Sequence, residues 1–257
     1  MSLQGDARRK RRGRMIATVF HTACFLATMS CLTALVVLVG NVFYQGWSWL
    51  DWNFLTSFPS RFAGEAGIKS ALAGSVWLTA LTALISLPIG VGAAIYLEEY
   101  AAVSRWKQLV QVNIANLAGV PSIVYGILGL GLFVQSLALG RSIISGALTL
   151  SLVVLPIVIL ATQEALRSVP DTIRHGSYAL GATKWQTVRR QVLPAAIPGI
   201  MTGVIISLSR AIGEAAPLIA VGAAAYVPFV PAGLGDQYTA LPIQIFDPLF
   251  HVRIMSL

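Results

Sequence analysis

The chain has 257 residues, of which 56% are hydrophobic and 11% charged, with a formal net charge of +8. A soluble domain carries about 25% charged residues, so this composition excludes an ordinary cytoplasmic enzyme and points to an integral membrane protein. The positive charge does not signal nucleic acid, because the basic residues flank long apolar runs that do not alternate as strands do.

Such runs cross a membrane as helices, which satisfy their own backbone groups. No phosphate-cradling P-loop, HExxH helix or cysteine–histidine cluster occurs in the sequence. The two cysteines, Cys24 and Cys31, lie seven residues apart on one expected helix. That is about 10 Å of axial rise, too far for a disulfide.

Residues 1–14 form a basic tail with Arg8, Arg9, Lys10, Arg11, Arg12 and Arg14. Placed directly before an apolar run, it reads as a cytoplasmic topology anchor. The run 15–44 is too long for a signal peptide and lacks the small-residue cleavage pattern, so it is expected to be the first membrane helix. Residues 45–69 carry Trp47, Trp49, Trp52, Phe54, Phe58 and Phe62, rings suited to a headgroup boundary. A second span is expected over 70–97, followed by a charged loop with Glu98, Glu99, Arg105 and Lys107.

The third expected span, 108–135, contains Pro121, which removes a backbone donor and should kink the helix. Gly119, Gly126, Gly129 and Gly131 would let another backbone approach closely. A fourth span is expected over 142–162. The longest polar stretch follows, residues 163–194, with Glu164, Arg167, Asp171, Arg174, His175, Lys184, Arg189 and Arg190. Tyr178, Leu180, Trp185 and Val188 give it an apolar side. Asp171 after Pro170 suits a helix cap, and Gly181 suits a helix end. Two short helices at the membrane face are expected, fit for docking against a cytoplasmic subunit.

The fifth span, 195–225, is expected to run as one helix of roughly 30 residues, long enough to cross about 30 Å of hydrocarbon. Arg210 falls near its middle, where an arginine costs roughly 3 to over 10 kcal/mol unless it faces protein or water. Glu214 lies one turn further along the same face. Gly203, Ser207, Arg210, Glu214 and Pro217 then make one small and polar stripe. The pair reads either as a structural lock between helices or as a charged element on a solute pathway. Residues 226–257 read as loop, with no further apolar run of spanning length.

With the N-terminus inside, thirteen of the eighteen basic residues fall in inner segments and four in outer ones, with Arg210 in the membrane. This bias supports five spans with a cytoplasmic N-terminus.

The 163–194 segment resembles the membrane subunits of binding-protein-dependent ABC importers. Their cytoplasmic signature is Glu-Ala-Ala, three residues, Gly, nine residues, then Ile-x-Leu-Pro. Gly181, Leu193 and Pro194 stand at matching positions, while His175, Gly176 and Ser177 replace Glu-Ala-Ala and Gln191 replaces Ile. Longer strings resemble the PstA-type permeases of phosphate importers: AGVPSIVYG at 118–126, EALRSVP at 164–170, YALGATKW at 178–185, SRAIGEAAPL at 209–218 and TALPIQI at 239–245.

The resemblance implies an all-α membrane protein with the type I ABC importer transmembrane domain over residues 15–257. It implies a non-catalytic permease in the bacterial inner membrane. Its partners would be a PstC-type permease, a PstB-type ATPase dimer that binds ATP and Mg, and a PstS-type phosphate-binding protein. The chain itself would hold no cofactor. Such proteins have six membrane helices, and the sixth is expected to be missing here, since the chain stops at Leu257.

Carried over by position, Arg210 and Glu214 are the charged pair of the substrate pathway, with Ser207, Ser209 and Ser122 as further donors. His175, Gly176, Ser177, Gly181, Ala182, Thr183, Leu193 and Pro194 form the ATPase-coupling segment. A permease for another oxyanion, molybdate or sulfate, and a truncated non-transporting membrane protein are the alternatives.

Overall fold

The computed structural model describes residues 3–60, 65–224 and 226–246. Phe62, two of the four basic residues counted as outer (Arg61 and Arg253) and the last residues to Leu257 lie outside the described residues. Two compact units are divided between Phe54 and Leu55.

The first unit is dominated by α1, Leu3–Gly46, a helix of 44 residues. It begins within the basic tail, so that run is helical too. Its stretch Gly13–Trp49 is long and apolar enough to cross a membrane. Thr18, Thr22, Thr28 and Thr33 each donate to the carbonyl four residues earlier, at 2.8–2.9 Å. An apolar helix can carry these hydroxyls because the helix itself satisfies them. A short 3₁₀ turn, Trp47–Trp49, follows, with Trp47 against Phe43 at 5.0 Å between ring centres. The next helix, α2, is Trp52–Thr56.

The second unit is built on α3 (Lys69–Ile95, widening into a π turn to Tyr100), α6 (Ile143–Arg167) and α9 (Leu193–Gly213). Helix α6 is central and packs on both α3 and α9. Its length of 25 residues exceeds the expected fourth span, taking in Glu164 and Arg167 as its last turn. On α9, Gly199 and Gly203 stand against Ala165 and Ala161, so small residues four apart on each helix bring the two backbones together. Two buried hydroxyls of α6 are satisfied within the helix itself. Thr149 and Ser151 donate to Ser145 and Ala147 carbonyls at 2.7 Å.

The expected third span is two helices, α4 (Arg105–Ala118) and α5 (Ser122–Gly129, widening into a π turn to Ser136), bent by 99° to each other. The break is sharper than a kink. Pro121 has no N–H and drives Val120 out of the helical region, and Gly119 ends α4. Tyr125 Oη donates at 2.8 Å to the carbonyl of Leu117, which also accepts from Val120 N–H at 3.1 Å, and so bridges the break. Of the four glycines, Gly126 and Gly129 are closely approached, while a Cβ on Gly131 would meet open space. Among the described residues, four helices are long and apolar enough to cross a membrane, or five with α4 and α5 as one broken span.

Between α6 and α9 lie α7 (Asp171–Ala179) and α8 (Lys184–Thr187), the latter joined to α9 through a π turn, Val188–Val192. The expected fifth span does not run unbroken to residue 225. It ends at Gly213, Glu214 is extended (φ −83°, ψ 101°), and α10 covers Ala216–Val221. Pro217 explains the stop, because it cannot donate to the carbonyl of Gly213 and its ring would clash there. Gly222, at φ +92°, closes α10 in a left-handed conformation.

The following loop folds back on α3 and α6. Ile143 and Ile144 donate their N–H groups to Asp236 and Leu234 carbonyls at 3.1 Å. Leu241 N–H donates to Ser75 Oγ at 3.0 Å. The segment is not all loop, since α11 spans Leu241–Phe246. Tyr238, Ala240 and Ile243 join Leu78, Ile143, Ala147, Leu150 and Leu218 in one core cluster. The described residues contain no strand.

Candidate functional site

Two sets of residues stand out, one at the break after α9 and one at the α7–α8 face. At the break, the last turn of α9 carries Arg210, and the extended residue after the helix carries Glu214. The pair forms, with Arg210 Nε donating to Glu214 Oε1 at 3.2 Å. The Arg210 side chain is 56% exposed and that of Glu214 17%. Only Nε is engaged. Both terminal guanidinium nitrogens are without a partner among the described residues. The arginine therefore keeps two parallel N–H directions free for an anion while one edge is held by Glu214.

The expected stripe does not survive as one face. Gly203 turns toward α6, and Ser207 is fully buried, its hydroxyl donating to the Gly203 carbonyl at 2.7 Å. Ser209 is exposed beside Arg210. Pro217 is buried against α5, where it packs on Gly126 together with Ala220. Ser122 opens α5 and is half-buried. Apart from Ser209 and Thr202, the exposed side chains of α9 near Arg210 are apolar, including Met201, Ile205, Ile206 and Ile212. Arg210 lies in the last turn of α9 and not near the middle of a 30-residue span as expected; wherever such a face meets hydrocarbon, a guanidinium on it requires a cover of protein or water.

At the second site, α7 ends at Ala179 and Gly181 turns the chain at φ +79°. Thr183 then starts α8 with a reciprocal cap: its Oγ1 accepts from Gln186 N–H at 3.3 Å, and Gln186 Oε1 accepts from Thr183 N–H at 2.8 Å. Ser177 and Thr187 hydroxyls meet at 2.9 Å and tie α7 to α8. The two helices border a cleft of about 530 Å³, lined by Gly176, Ser177, Gly181 and Ala182 with Leu180 and Arg190. His175 is exposed beside it. Leu193 and Pro194 start α9, where Leu193 packs on the α6–α9 core.

The apolar side expected here is present in Tyr178, Leu180 and Trp185, at 40%, 91% and 59% exposure, but Val188 is buried. Asp171 does not cap α7. It is the first helical residue, and its carboxylate accepts from Arg174 Nη1 at 3.1 Å.

Gly181→Ala tests the turn. No atom lies within 4 Å of the added Cβ, so only the left-handed backbone resists it. The expected cost is about 1–2 kcal/mol, read as a roughly 5- to 30-fold faster hydrogen exchange of α7–α8 amides.

Sequence reasoning separated the 98–107 and 163–194 segments, and the structure joins them by charge. Arg167 holds Glu98 with two bonds, Nε to Oε1 at 2.9 Å and Nη2 to Oε2 at 3.1 Å. Arg174 holds Glu99 Oε1 from Nη2 at 2.8 Å. Burial alone would lower the Arg174 pKa, but the hydrogen bond and charge of Glu99, with Asp171, outweigh it and hold the guanidinium protonated. The available signal was two acidic residues at one helix end and two spaced arginines in the other same-side segment. Lys184 Nζ also sits over the Tyr100 ring at 5.3 Å.

Residues 86–250 match the family described as binding-protein-dependent transport system inner membrane component. A probable ABC transporter permease protein, YqgI of Bacillus subtilis (strain 168), is 36% identical over 207 residues, 80% of this chain and 70% of that protein. The phosphate transport system permease protein PstA 1 of Mycobacterium tuberculosis (strain CDC 1551 / Oshkosh) is 36% identical over 217 residues, 82% of this chain and 69% of that protein. Among solved structures, an inward-facing MetNI methionine ABC transporter matches with TM-score 0.52 at 20% identity, covering 74% of this chain and 89% of that one.

Proposed function

The chain belongs to the family of binding-protein-dependent transport system inner membrane components, and on that premise we propose that it is the permease subunit through which an ATP-driven importer moves inorganic phosphate. The fold is that of a type I ABC importer transmembrane domain. The chain is a multi-pass inner-membrane permease and catalyses no reaction itself. Partners in such a system are an ATPase, another permease subunit and a binding protein. Here we assign them as PstB-type, PstC-type and PstS-type proteins, because the PstA proteins are among the relatives. ATP and Mg belong to the ATPase. The N-terminus is placed in the cytoplasm on the distribution of basic residues.

The observation that carries the substrate is Arg210. Phosphate is a hydrated anion, and crossing the membrane requires donors that replace its water. Arg210 offers two free terminal nitrogens in a planar fork, a geometry lysine lacks. Glu214 already bonds the Nε edge, so it can draw the guanidinium back as the anion leaves. Ser209 and Ser122 are secondary donors; Ser207, expected to be a third, is buried and its hydroxyl is taken up by the Gly203 carbonyl within α9. The coupling segment is His175, Gly176, Ser177, Gly181, Ala182, Thr183, Leu193 and Pro194, with the cleft beside α7 and α8 as the ATPase seat.

The test is ATP-dependent uptake of labelled phosphate into vesicles holding the full assembly, with sulfate and molybdate as competitors. Phosphate alone should compete at equimolar concentration. Equal transport of sulfate or molybdate would overturn the assignment.

A further inference from the structure

We propose that Arg174 and Glu99, backed by Arg167 and Glu98, form the link that carries movement of α7 and α8 to the ends of α3 and α6. The inference rests on the permease reading and names residues within it.

Helix α7 has no buried residue, so apolar packing does not tie it to the spanning helices. Arg174 does. Its Nε and Nη2 donate to Glu99 Oε1 at 3.3 and 2.8 Å, reaching the π turn that ends α3. Nη2 also donates to the Leu166 carbonyl at 2.9 Å in the last turn of α6, and Nη1 to the Val169 carbonyl at 2.7 Å just beyond it. The remaining Nη1 donor goes to Asp171 at 3.1 Å. All five N–H groups are used, across three elements. Lysine, with three donors on one point, cannot repeat this.

The placement favours force transfer over decoration. The Arg174 and Glu99 side chains are 15% and 7% exposed, so water screens the pair weakly. Terminal carbonyls of a helix carry partial negative charge, which adds to the hold on α6. Arg167 and Glu98 fasten the end of α6 to the end of α3 by two parallel bonds, so the two ends move together. The pairs Glu164–Arg167 and Asp171–Arg174 are different, since each lies within one helix and joins no two elements.

The experiment uses the full chain in vesicles with its ATPase, partner permease and binding protein. The readout is phosphate moved per ATP hydrolysed. A loss of folded protein lowers both quantities together and leaves their ratio unchanged. In Glu99→Gln and Arg174→Lys the ratio is expected to fall at least about tenfold with the ATPase still co-purifying. In Glu164→Gln it should stay within about twofold, as for an exposed pair inside one helix. An unchanged ratio in Glu99→Gln, or loss of the ATPase from the complex, overturns the link.

Hydrogen exchange of the Tyr96–Tyr100 turn, with and without ATP, reads the link without reference to phosphate. A response to ATP in the unaltered chain that disappears in Glu99→Gln supports it, and a response retained in Glu99→Gln overturns it. An unaltered assembly that shows the response but moves no phosphate overturns the substrate assignment alone. An ATPase that never associates overturns both.

Discussion

Arg210→Lys is expected to lower phosphate uptake about a hundredfold, and Arg210→Ala at least as much. Two charge-assisted hydrogen bonds from a planar fork are each worth about 1.5–3 kcal/mol, and lysine can place only one ammonium against the anion. Losing one such bond, at about 2.7 kcal/mol, corresponds to roughly a factor of 100. The ammonium keeps the charge, so long-range attraction of phosphate survives and the defect lies in holding the anion at the break.

Glu214→Gln should act in the opposite sense on binding. The side chain still accepts from Arg210 Nε but no longer competes by charge. Phosphate should then be held longer, and both the half-saturating concentration and the maximal rate should fall. Initial uptake rates across a phosphate series separate the two variants. Wild-type rates in Arg210→Lys would remove the fork from the mechanism, and an unchanged Glu214→Gln would reduce the pair to a structural lock.

The pairing of Arg210 with Glu214 was legible in their four-residue spacing, but the backbone around it was not. The spacing argument assumed continuous helix through Pro217, whereas proline acts four residues upstream, at Gly213. The same rule was applied correctly at Pro121, where the break was expected and only its 99° sharpness was not. The helix end at Gly181 was readable because glycine marks left-handed turns, whereas the reciprocal cap of Thr183 and Gln186 that restarts the chain was not.

Contacts between distant segments leave no such mark. Arg174 and Glu99 are 75 positions apart, and nothing in either neighbourhood names the other. Val188 shares the apolar character of Tyr178, Leu180 and Trp185, and nothing local to it marks it as the buried one of the four. Residues 226–257 read as loop from their Pro and Gly content, yet Tyr238 is buried in the α3–α6 core. Short motifs fixed local geometry, while burial was decided by partners far along the chain.

Gly126→Val should abolish most uptake without touching a charged residue. An added Cβ at Gly126 would stand 2.7 Å from Pro217 Cα, 2.9 Å from the Pro217 carbonyl oxygen and 2.6 Å from Ala220 Cβ. Two of these are backbone atoms of α10, which cannot rotate away, so α5 and α10 must separate. Overpacking of this kind costs about 1–3 kcal/mol, and a β-branched residue sits at the upper end. For a chain of this size each kcal/mol lowers the unfolding midpoint by about 2–4 °C.

The functional loss exceeds the stability loss because α10 begins two residues after Glu214. Moving α10 shifts the extended residue that holds the Arg210 edge, and a displacement of about 1 Å can cost on the order of a hundredfold in a positioned site. Gly131→Ala, on the same arm with open space around its Cβ, is the matched control and should change neither midpoint nor uptake. The midpoint separates the two routes to failure: Arg210→Lys should leave it within about 2 °C, since an exposed residue away from packing changes stability by about 0.5 kcal/mol or less. Gly126→Val should lower midpoint and uptake together. A Gly126→Val chain that transports normally would show that the α5–α10 contact does not hold Glu214 in place.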